Sequence, residues 1–264
     1  MEVRAKKALG QHFLTDQGVA RSIVDALSAD SPVSQVVEIG PGMGVLTQYL
    51  LRREDVDLKM IEIDSESVTY LLGHMPGVEG KILEGDYLRM DMRRIFDGPY
   101  RVIGNFPYNI SSQIFFKILE DKDRIPEVVC MVQKEVADRI AEGPGSKVYG
   151  ILSVLLQAWY DITPVLSVGP GAFAPPPKVR SSVIRLERNR RVSLGCDEAR
   201  FKQVVKTAFN QRRKTLRNAL KPLFSDSIPD LSDPVFDLRA ERLGVEDFVR
   251  LTNILFPATT VRGI

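Results

Sequence analysis

Residues 36–44, VVEIGPGMG, contain an apolar run followed by glycines at three alternate positions. The run is short and rich in β-branched residues, which is typical of a buried strand. Glycines directly after a strand let the backbone turn tightly and approach a ligand closely. The stretch therefore predicts the strand, turn and helix start that open a nucleotide-binding α/β sheet.

The same alternation of apolar runs and helical segments continues along the chain. It predicts a mainly parallel sheet with helices on both faces. Strands are expected at 35–39, 58–63, 80–84, 100–104, 126–132, 160–168 and 180–187. Helices are expected at 17–28, 44–53, 65–74, 110–120, 134–141 and 149–159. No helix separates the last two strands, so they are expected to form an antiparallel pair at the sheet edge.

The pattern changes beyond about residue 190. Segments 197–209, 211–222 and 245–256 have helical periodicity, and no strand signals remain. This change predicts a smaller, all-helical domain. We therefore expect a sheet domain at 1–190 and a helical domain at 191–264.

Composition limits the class of protein. A chain of 264 residues with 44% hydrophobic residues is typical of a soluble protein with one or two domains. Its two cysteines and two histidines have no metal-ligand spacing, which predicts no metal site and a reducing, cytoplasmic compartment. No apolar run reaches the ~18 residues of a membrane helix, and no signal peptide is recognisable. Nothing demands more than a monomer.

Charge is unevenly distributed. The net charge is only +2, but residues 178–221 contain 14 Lys and Arg against three Asp and Glu, a local net of +11. A smaller excess of basic residues could be explained by a helix face that is exposed to solvent. An imbalance of this size over 44 residues favours contact with a polyanion.

A second informative stretch is Asn105-Phe106-Pro107-Tyr108, directly after the predicted strand at 100–104. The Asn105 side-chain oxygen and the Pro107 carbonyl can each accept a hydrogen bond from an –NH₂ group. The Tyr108 ring can stack on the base that carries this amine. Asn and Pro also mark ordinary turns, so the motif gains its meaning from the nucleotide-binding loop in the same chain.

Two acids complete the predicted crevice. Glu62 lies about 20 residues past the glycine loop, where an acid bonds ribose hydroxyls, and Asp86 follows the third strand. The carboxyl ends of parallel strands meet at one edge, so both acids are expected near Asn105. NAD and S-adenosylmethionine both suit such a site. The Gly-x-Gly-x-Gly spacing and Asp86 favour S-adenosylmethionine.

Several motifs in this order resemble the ribosomal RNA adenine dimethyltransferases, and specifically the small-subunit type. The resemblance covers nearly the whole chain. It rests on Lys7–Leu14, Glu38–Gly42, Glu62–Asp64, Gly85-Asp86, Asn105–Ile110, Phe173–Val179 and Asn210–Leu216. One departure is Phe106, where the family usually has Leu. Both side chains are apolar, and the neighbouring Asn, Pro and Tyr are intact.

The resemblance implies a Rossmann-like, S-adenosylmethionine-dependent methyltransferase sheet followed by a helical RNA-binding domain. On the N-terminal arm, His12 and Leu14 would cover the methionine side of the cofactor. The remaining implied cofactor contacts are Gly40, Gly42, Glu62 for the ribose, Asp86 for the adenine, and Asn105.

For the substrate, the resemblance implies two adjacent adenines near the 3′ end of small-subunit rRNA, each dimethylated at N6. Asn105 and Pro107 would accept from the target amine, and Tyr108 and Phe173 would stack on the target base. Phosphates would be contacted by Lys178, Arg212, Arg213, Lys214 and Arg217, of which the last four are predicted to lie on adjacent turns of one helix.

Alternative functions remain open at this point. One is a related enzyme acting on large-subunit adenine and conferring antibiotic resistance. Another is a ribosome-assembly factor that acts mainly by binding the small subunit. A methyltransferase for DNA or a small molecule is disfavoured by the basic segment and the N-terminal arm.

Overall fold

The computed structural model describes residues 6, 9–224 and 230–257. Contacts divide the chain into two compact units. The first comprises Met1–Ala137 and Asp161–Arg188, and the second comprises Asp138–Tyr160 and Asn189–Ile264. Residues 138–160 thus group with the C-terminal helices, although they precede the expected boundary. The division into domains at 190 stays a prediction.

The first unit contains a central sheet that follows the predicted strands to within two residues. Its strands are β2 (Gln35–Ile39), β3 (Asp57–Glu62), β4 (Ile82–Glu84), β5 (Arg101–Asn105), β6 (Glu127–Gln133), β7 (Tyr160–Val168) and β9 (Ser181–Arg188). Their order is β4-β3-β2-β5-β6-β9-β7. Strands β2 to β6 pair in parallel, and β9 pairs antiparallel with β6. As expected, the last two long strands are neighbours at one edge.

A two-stranded pair accompanies this sheet. Strand β1 (Phe13–Leu14) lies antiparallel to β8 (Phe173–Ala174), so the N-terminal arm is attached to the segment before β9. These two strands were not predicted from the sequence. Each is two residues long, too short for an alternating pattern to be recognised.

The first unit's helices are α1 (Gln17–Asp25), α2 (Thr47–Leu50), α3 (Ser65–His74) and α4 (Ser111–Glu120), and α5 (Lys134–Ala141) follows β6. Helix α1 begins after Asp16, whose carboxylate accepts hydrogen bonds from the Gly18 and Val19 amides. Helix α2 is shorter than the predicted 44–53. Gly44 has a φ of +79°, which is incompatible with a right-handed helix at that residue.

The regular structure of the second unit's described residues is helical, apart from the first residue of β7 and an isolated bridge between Thr215 and Arg239. It contains α6 (Ile151–Gln157), α7 (Glu198–Asn210), α8 (Leu216–Ala219), α9 (Val245–Leu255) and short 3₁₀ turns. The predicted helix at 211–222 is confirmed only in its second half, where α8 and a 3₁₀ turn at Lys221–Leu223 lie, and it is wrong before that. Residues 211–215 form a turn, because Thr215 is extended and the Leu216 amide donates to the Leu238 carbonyl at 2.8 Å. Within residues 6, 9–224 and 230–257, no helix is long and apolar enough to cross a membrane.

Candidate cofactor and target-base site

A cavity of about 260 Å³ lies at the carboxyl edge of the parallel strands. Its wall is formed by the N-terminal arm, the turn after β2 and the ends of β3 and β5, together with the segment after β4. Nine predicted residues lie on this wall: His12, Leu14, Gly40, Gly42, Glu62, Asp86, Asn105, Pro107 and Tyr108. The parallel strands therefore bring together residues that are far apart in sequence.

The glycine loop turns through left-handed backbone conformations. Gly40 has a φ of +65° and Gly42 a φ of +57°. A Cβ atom on Gly42 would lie 3.1 Å from the Phe13 ring, which belongs to the arm. Any other residue at Gly42 would therefore be strained and would push against the arm.

Glu62 connects this loop to the end of β3. Its side chain is buried, with one carboxylate oxygen 3.0 Å from the Gly42 amide and the other 2.9 Å from the Asp64 amide. Burial raises the pKa of Glu62, and these two backbone hydrogen bonds oppose the rise. Each oxygen retains acceptor capacity, as a ribose-binding carboxylate requires.

Glu38 is a second buried acid on the cavity wall, for which the sequence analysis proposed no role. It accepts a 2.7 Å hydrogen bond from the Thr47 hydroxyl of α2. Burial raises the pKa of Glu38 to about 8, although the bond from Thr47 lowers it. An acid within an otherwise apolar strand is the sequence signal that could have identified it.

Asp86 lies on the wall in the segment after β4. One carboxylate oxygen accepts from the Leu88 amide at 2.9 Å, and the other lies 3.4 Å from the Arg89 guanidinium. Arg89 itself is largely exposed. These contacts fix the Asp86 carboxylate at the cavity and leave lone pairs for an exocyclic amine.

The Asn105 amide is oriented by the N-terminal arm. Its Nδ2 donates to the His12 carbonyl at 3.0 Å, while its Oδ1 accepts no hydrogen bond from any residue the structure describes. The Pro107 carbonyl accepts from the Ile110 amide at 3.2 Å, which leaves it a second lone pair. Two acceptors are therefore present on one wall.

Tyr108 is held from two sides. Its hydroxyl lies 2.5 Å from the Ser181 hydroxyl, and its ring centroid is 5.2 Å from that of His12. Burial raises the pKa of Tyr108, and the bond to Ser181 lowers it. Phe106 is buried and packs edge-on against Phe115, so the departure from the family pattern is accommodated in the core.

Phe173 does not lie on the cavity wall. Its side chain is 4% exposed and belongs to the core cluster that includes Leu14. This placement reflects the pairing of Leu14 with Phe173 between β1 and β8. Its expected stacking on the target base would require the ring to leave this packing.

The described residues of the N-terminal arm have several anchoring contacts. Lys6 Nζ lies 2.6 Å from Asp64 and 3.0 Å from Glu66, and Gln11 donates to Asp64 at 3.4 Å. His12 Nδ1 lies 3.0 Å from the Pro175 carbonyl. Lys7 and Ala8 of the N-terminal motif lie outside the described residues. The Lys6–Asp64 contact was not predicted from the sequence.

The five predicted phosphate contacts differ in their surroundings. Lys178, Arg213 and Lys214 are exposed and make no ion pair with the residues described. Arg212 donates to the Ser146 carbonyl at 3.2 Å, and Arg217 lies 2.9 Å from the Asp237 carboxylate. Arg212, Arg213 and Lys214 lie in the turn before α8, not on one helix with Arg217. The prediction of a single basic helix is therefore wrong.

The cavity fits S-adenosylmethionine. The loop at Gly42 permits close approach of the backbone, Glu62 and Asp86 are acceptors for ribose and adenine, and the Asn105 oxygen lies on the same wall. Fold and site together define a class of protein, an S-adenosylmethionine-dependent methyltransferase that acts on an exocyclic amine. The particular family follows from comparison with known proteins.

The chain belongs to the family Ribosomal RNA adenine dimethylase, which it matches over residues 2–255. It is 56% identical to Ribosomal RNA small subunit methyltransferase A of Parabacteroides distasonis, over 96% of this chain and 94% of that protein. It is 52% identical to the protein of the same name from Cytophaga hutchinsonii, over 96% and 98%.

Two solved structures share this fold. A dimethyladenosine transferase from Plasmodium falciparum matches 91% of this chain and 96% of its own, with a TM-score of 0.73 and 25% identity. The 23S rRNA methyltransferase ErmE matches 92% and 99%, with a TM-score of 0.65 and 22% identity. The second likeness shows the shared fold alone.

Proposed function

We propose that this protein dimethylates the N6 of two adjacent adenines near the 3′ end of small-subunit rRNA. It uses S-adenosylmethionine and acts as a cytoplasmic monomer on a maturing small subunit. The observation that carries the proposal is the Asn105 amide, whose nitrogen is held by His12 and whose oxygen is free on the cofactor cavity. The names of the relatives support the choice of subunit.

In this proposal the chain binds and orients the reactants. The cofactor supplies a methyl group on a sulfonium centre. Glu62 holds its ribose, Asp86 its adenine amine, and the arm residues His12 and Leu14 cover its methionine part. Gly40 and Gly42 allow the close approach that these contacts need.

The target amine is a poor nucleophile because its lone pair is delocalised into the adenine ring. Asn105 Oδ1 and the Pro107 carbonyl each accept one N–H, which draws the nitrogen toward tetrahedral geometry and aims its lone pair. Positioning of this kind supplies about 7–11 kcal/mol in favourable cases. The amine forms a bond to the methyl carbon as the carbon–sulfur bond breaks, which leaves the cofactor as a neutral thioether. The ammonium formed is acidic and loses its proton to water, so no side-chain base is required.

The base has to leave its helix to reach this wall. Stacking on Tyr108 offsets part of that cost, by about 1–3 kcal/mol. Phe173 would stack on the other side of the base if its ring moved out of the core. Phosphates would be held by Lys178, Arg212, Arg213, Lys214 and Arg217.

The test is methyl transfer from labelled S-adenosylmethionine to small subunits that lack adenine dimethylation. Large subunits and naked rRNA are assayed in parallel, and products are identified by nucleoside mass spectrometry. Dimethyladenosine on the small subunit alone is expected. Label on the large subunit would instead indicate the resistance-type activity, and binding without label would indicate an assembly factor.

A variant separates catalysis from binding. Asn105→Ala removes one acceptor and leaves the phosphate contacts intact, so turnover is expected to fall far more than affinity for the subunit. Equal losses in turnover and affinity would contradict the role of Asn105. Subunit maturation supported by this variant would assign maturation to binding and not to methylation.

A further inference from the structure

Tyr108 is attached to the sheet by a residue that its own motif does not contain. The Tyr108 hydroxyl lies 2.5 Å from the hydroxyl of Ser181, the first residue of β9. Ser181 is fully buried. The contact spans 73 residues of sequence and joins the loop after β5 to a strand two positions further along the sheet.

The Ser181 hydroxyl has a fixed position. Ser181 pairs with Gln133 at the end of β6, and the Lys134 amide donates to the Arg180 carbonyl at 2.9 Å. The backbone on both sides of the hydroxyl is therefore held by the sheet. A side chain with one rotatable bond on such a backbone is a rigid anchor.

This anchor matters because two torsions determine the plane of a tyrosine ring. With the hydroxyl held by Ser181 and the ring beside His12, the stacking face of Tyr108 is set before a base arrives. A ring without the anchor would lose rotational freedom on binding, and that loss would weaken stacking.

We propose that Ser181 is a positioning residue for the target base, acting through Tyr108. The inference rests on the proposed stacking role of Tyr108 and deepens it. Its consequence differs between the two methyl transfers. An unmethylated amine offers two N–H groups to Asn105 and Pro107, whereas a monomethylated amine offers one. Stacking on Tyr108 therefore contributes more to the orientation of the monomethylated base than to that of the unmethylated base. The second transfer thus depends more on Ser181 than the first does.

The chain offers a matched control in the next residue. Ser182 is also a nearly buried hydroxyl of β9, but it donates to the Leu166 carbonyl at 3.2 Å. Ser182→Ala removes the same atom from the same strand without touching Tyr108. Tyr108→Phe removes the other end of the anchor and retains the ring.

The experiment measures kcat, KM for the subunit, the ratio of monomethyladenosine to dimethyladenosine, and the melting temperature. Variants Ser181→Ala, Tyr108→Phe, their combination and Ser182→Ala are compared with the unaltered protein. Each single change at the anchor is expected to lower kcat/KM by about fivefold, the typical effect of one neutral hydrogen bond. The double variant is expected to have the same kcat/KM as either single variant. Monomethyladenosine is expected to accumulate with Ser181→Ala, with Tyr108→Phe and with their combination.

Ser182→Ala is expected to retain the product ratio whatever its melting temperature. Additive losses in the double variant, or an unchanged product ratio in Tyr108→Phe, would overturn the inference. If Ser181→Ala does not fold, Tyr108→Phe decides by its product ratio. Failure of the proposed function would appear separately, as absence of dimethyladenosine with the unaltered protein on every substrate.

Discussion

The Asn105 amide presents a different group to each of its neighbours. Its nitrogen donates to the His12 carbonyl, so its oxygen remains available to an incoming amine. An amide is suited to this position because it is donor and acceptor at once. A carboxylate there would place a negative oxygen against a carbonyl oxygen. The arm residue His12 therefore influences the target-base wall as well as the cofactor side.

The first prediction concerns Asn105→Asp. The carboxylate retains an acceptor but is repelled by the His12 carbonyl, so the acceptor should be displaced. A misplacement of this kind can lower turnover by about a hundredfold. Single-turnover methylation and subunit binding would be measured beside Asn105→Ala. Turnover in Asn105→Asp close to that of the unaltered protein would contradict the orienting role of His12.

The second prediction concerns pH and Glu38. Burial raises the pKa of Glu38 from 4.5 to about 8. The folded protein then binds this proton more tightly than the unfolded chain does. The protonated Glu38 therefore contributes fully to the free energy of unfolding below pH 4.5, and this contribution is lost as pH rises toward 8. Glu38→Gln keeps an acceptor for Thr47 and removes the titration. Its stability relative to the unaltered protein should rise with pH, by at most about 1.4 kcal/mol per unit.

Thermal unfolding between about pH 5 and pH 8.5, without cofactor, measures this difference. Glu54→Gln is the control, because it makes the same substitution at an exposed position of the same unit. A stability difference between Glu38→Gln and the unaltered protein that is constant across this range would contradict the prediction.

At the scale of elements, the N-terminal arm connects parts of the first unit that are distant in sequence. It contacts Asp64 at the start of α3, Asn105 at the end of β5, and the Pro175 carbonyl after β8. Burial alone would raise the pKa of Asp64, but hydrogen bonds from Lys6, Gln11 and Ser67 outweigh it and lower the pKa. The buried Asp64 carboxylate is therefore the anchor for the first part of the arm.

The third prediction tests this anchor. Lys6→Met removes the ion pair with Asp64 and retains an apolar stem, so the arm should spend less time closed over the cavity. The Kd of S-adenosylmethionine, measured by calorimetry, is expected to rise by about two- to fivefold, since the pair is partly exposed. Lys81→Met removes a charge elsewhere on the same unit and should leave the Kd unchanged. Equal Kd values for both variants and the unaltered protein would show that the pair does not hold the arm.

These elements also show what the sequence could predict. The strands were predictable because hydrophobic periodicity is a local property of the sequence. The acids at their ends were predictable because the carboxyl ends of parallel strands lie at the same side of a sheet. The Lys6–Asp64 and Tyr108–Ser181 contacts were not, because each joins residues that only the tertiary fold brings together. The first half of the helix predicted at 211–222 was wrong for the same reason, since the Leu216 amide donates to the distant Leu238 carbonyl.

At the scale of the whole molecule, the two ends of the sheet's strands have different roles. The carboxyl edge carries the cavity, whereas the starts of β5 and β6 carry an ionic cluster. There the fully buried Arg101 donates to the Ser28 carbonyl at 2.6 Å and lies 3.6 Å from Glu127. A buried pair of this kind destabilises the fold when one partner is removed. The residues of the cavity and this buried ionic cluster therefore lie at opposite ends of the strands.

The last prediction concerns the uneven charge of the chain. Arg213 and Lys214 are exposed and unpaired among the described residues, whereas Arg217 is paired with Asp237. Each phosphate neutralised makes log K fall more steeply with log salt, by about 0.7–0.9 in the magnitude of the slope. Replacing Arg213 and Lys214 with Gln should therefore reduce the slope by about 1.4–1.8. Arg217→Gln should reduce it less, because an acid already competes for that guanidinium. Subunit binding titrated at several salt concentrations distinguishes these outcomes, and a slope unchanged in the double variant would exclude this turn from the RNA contact.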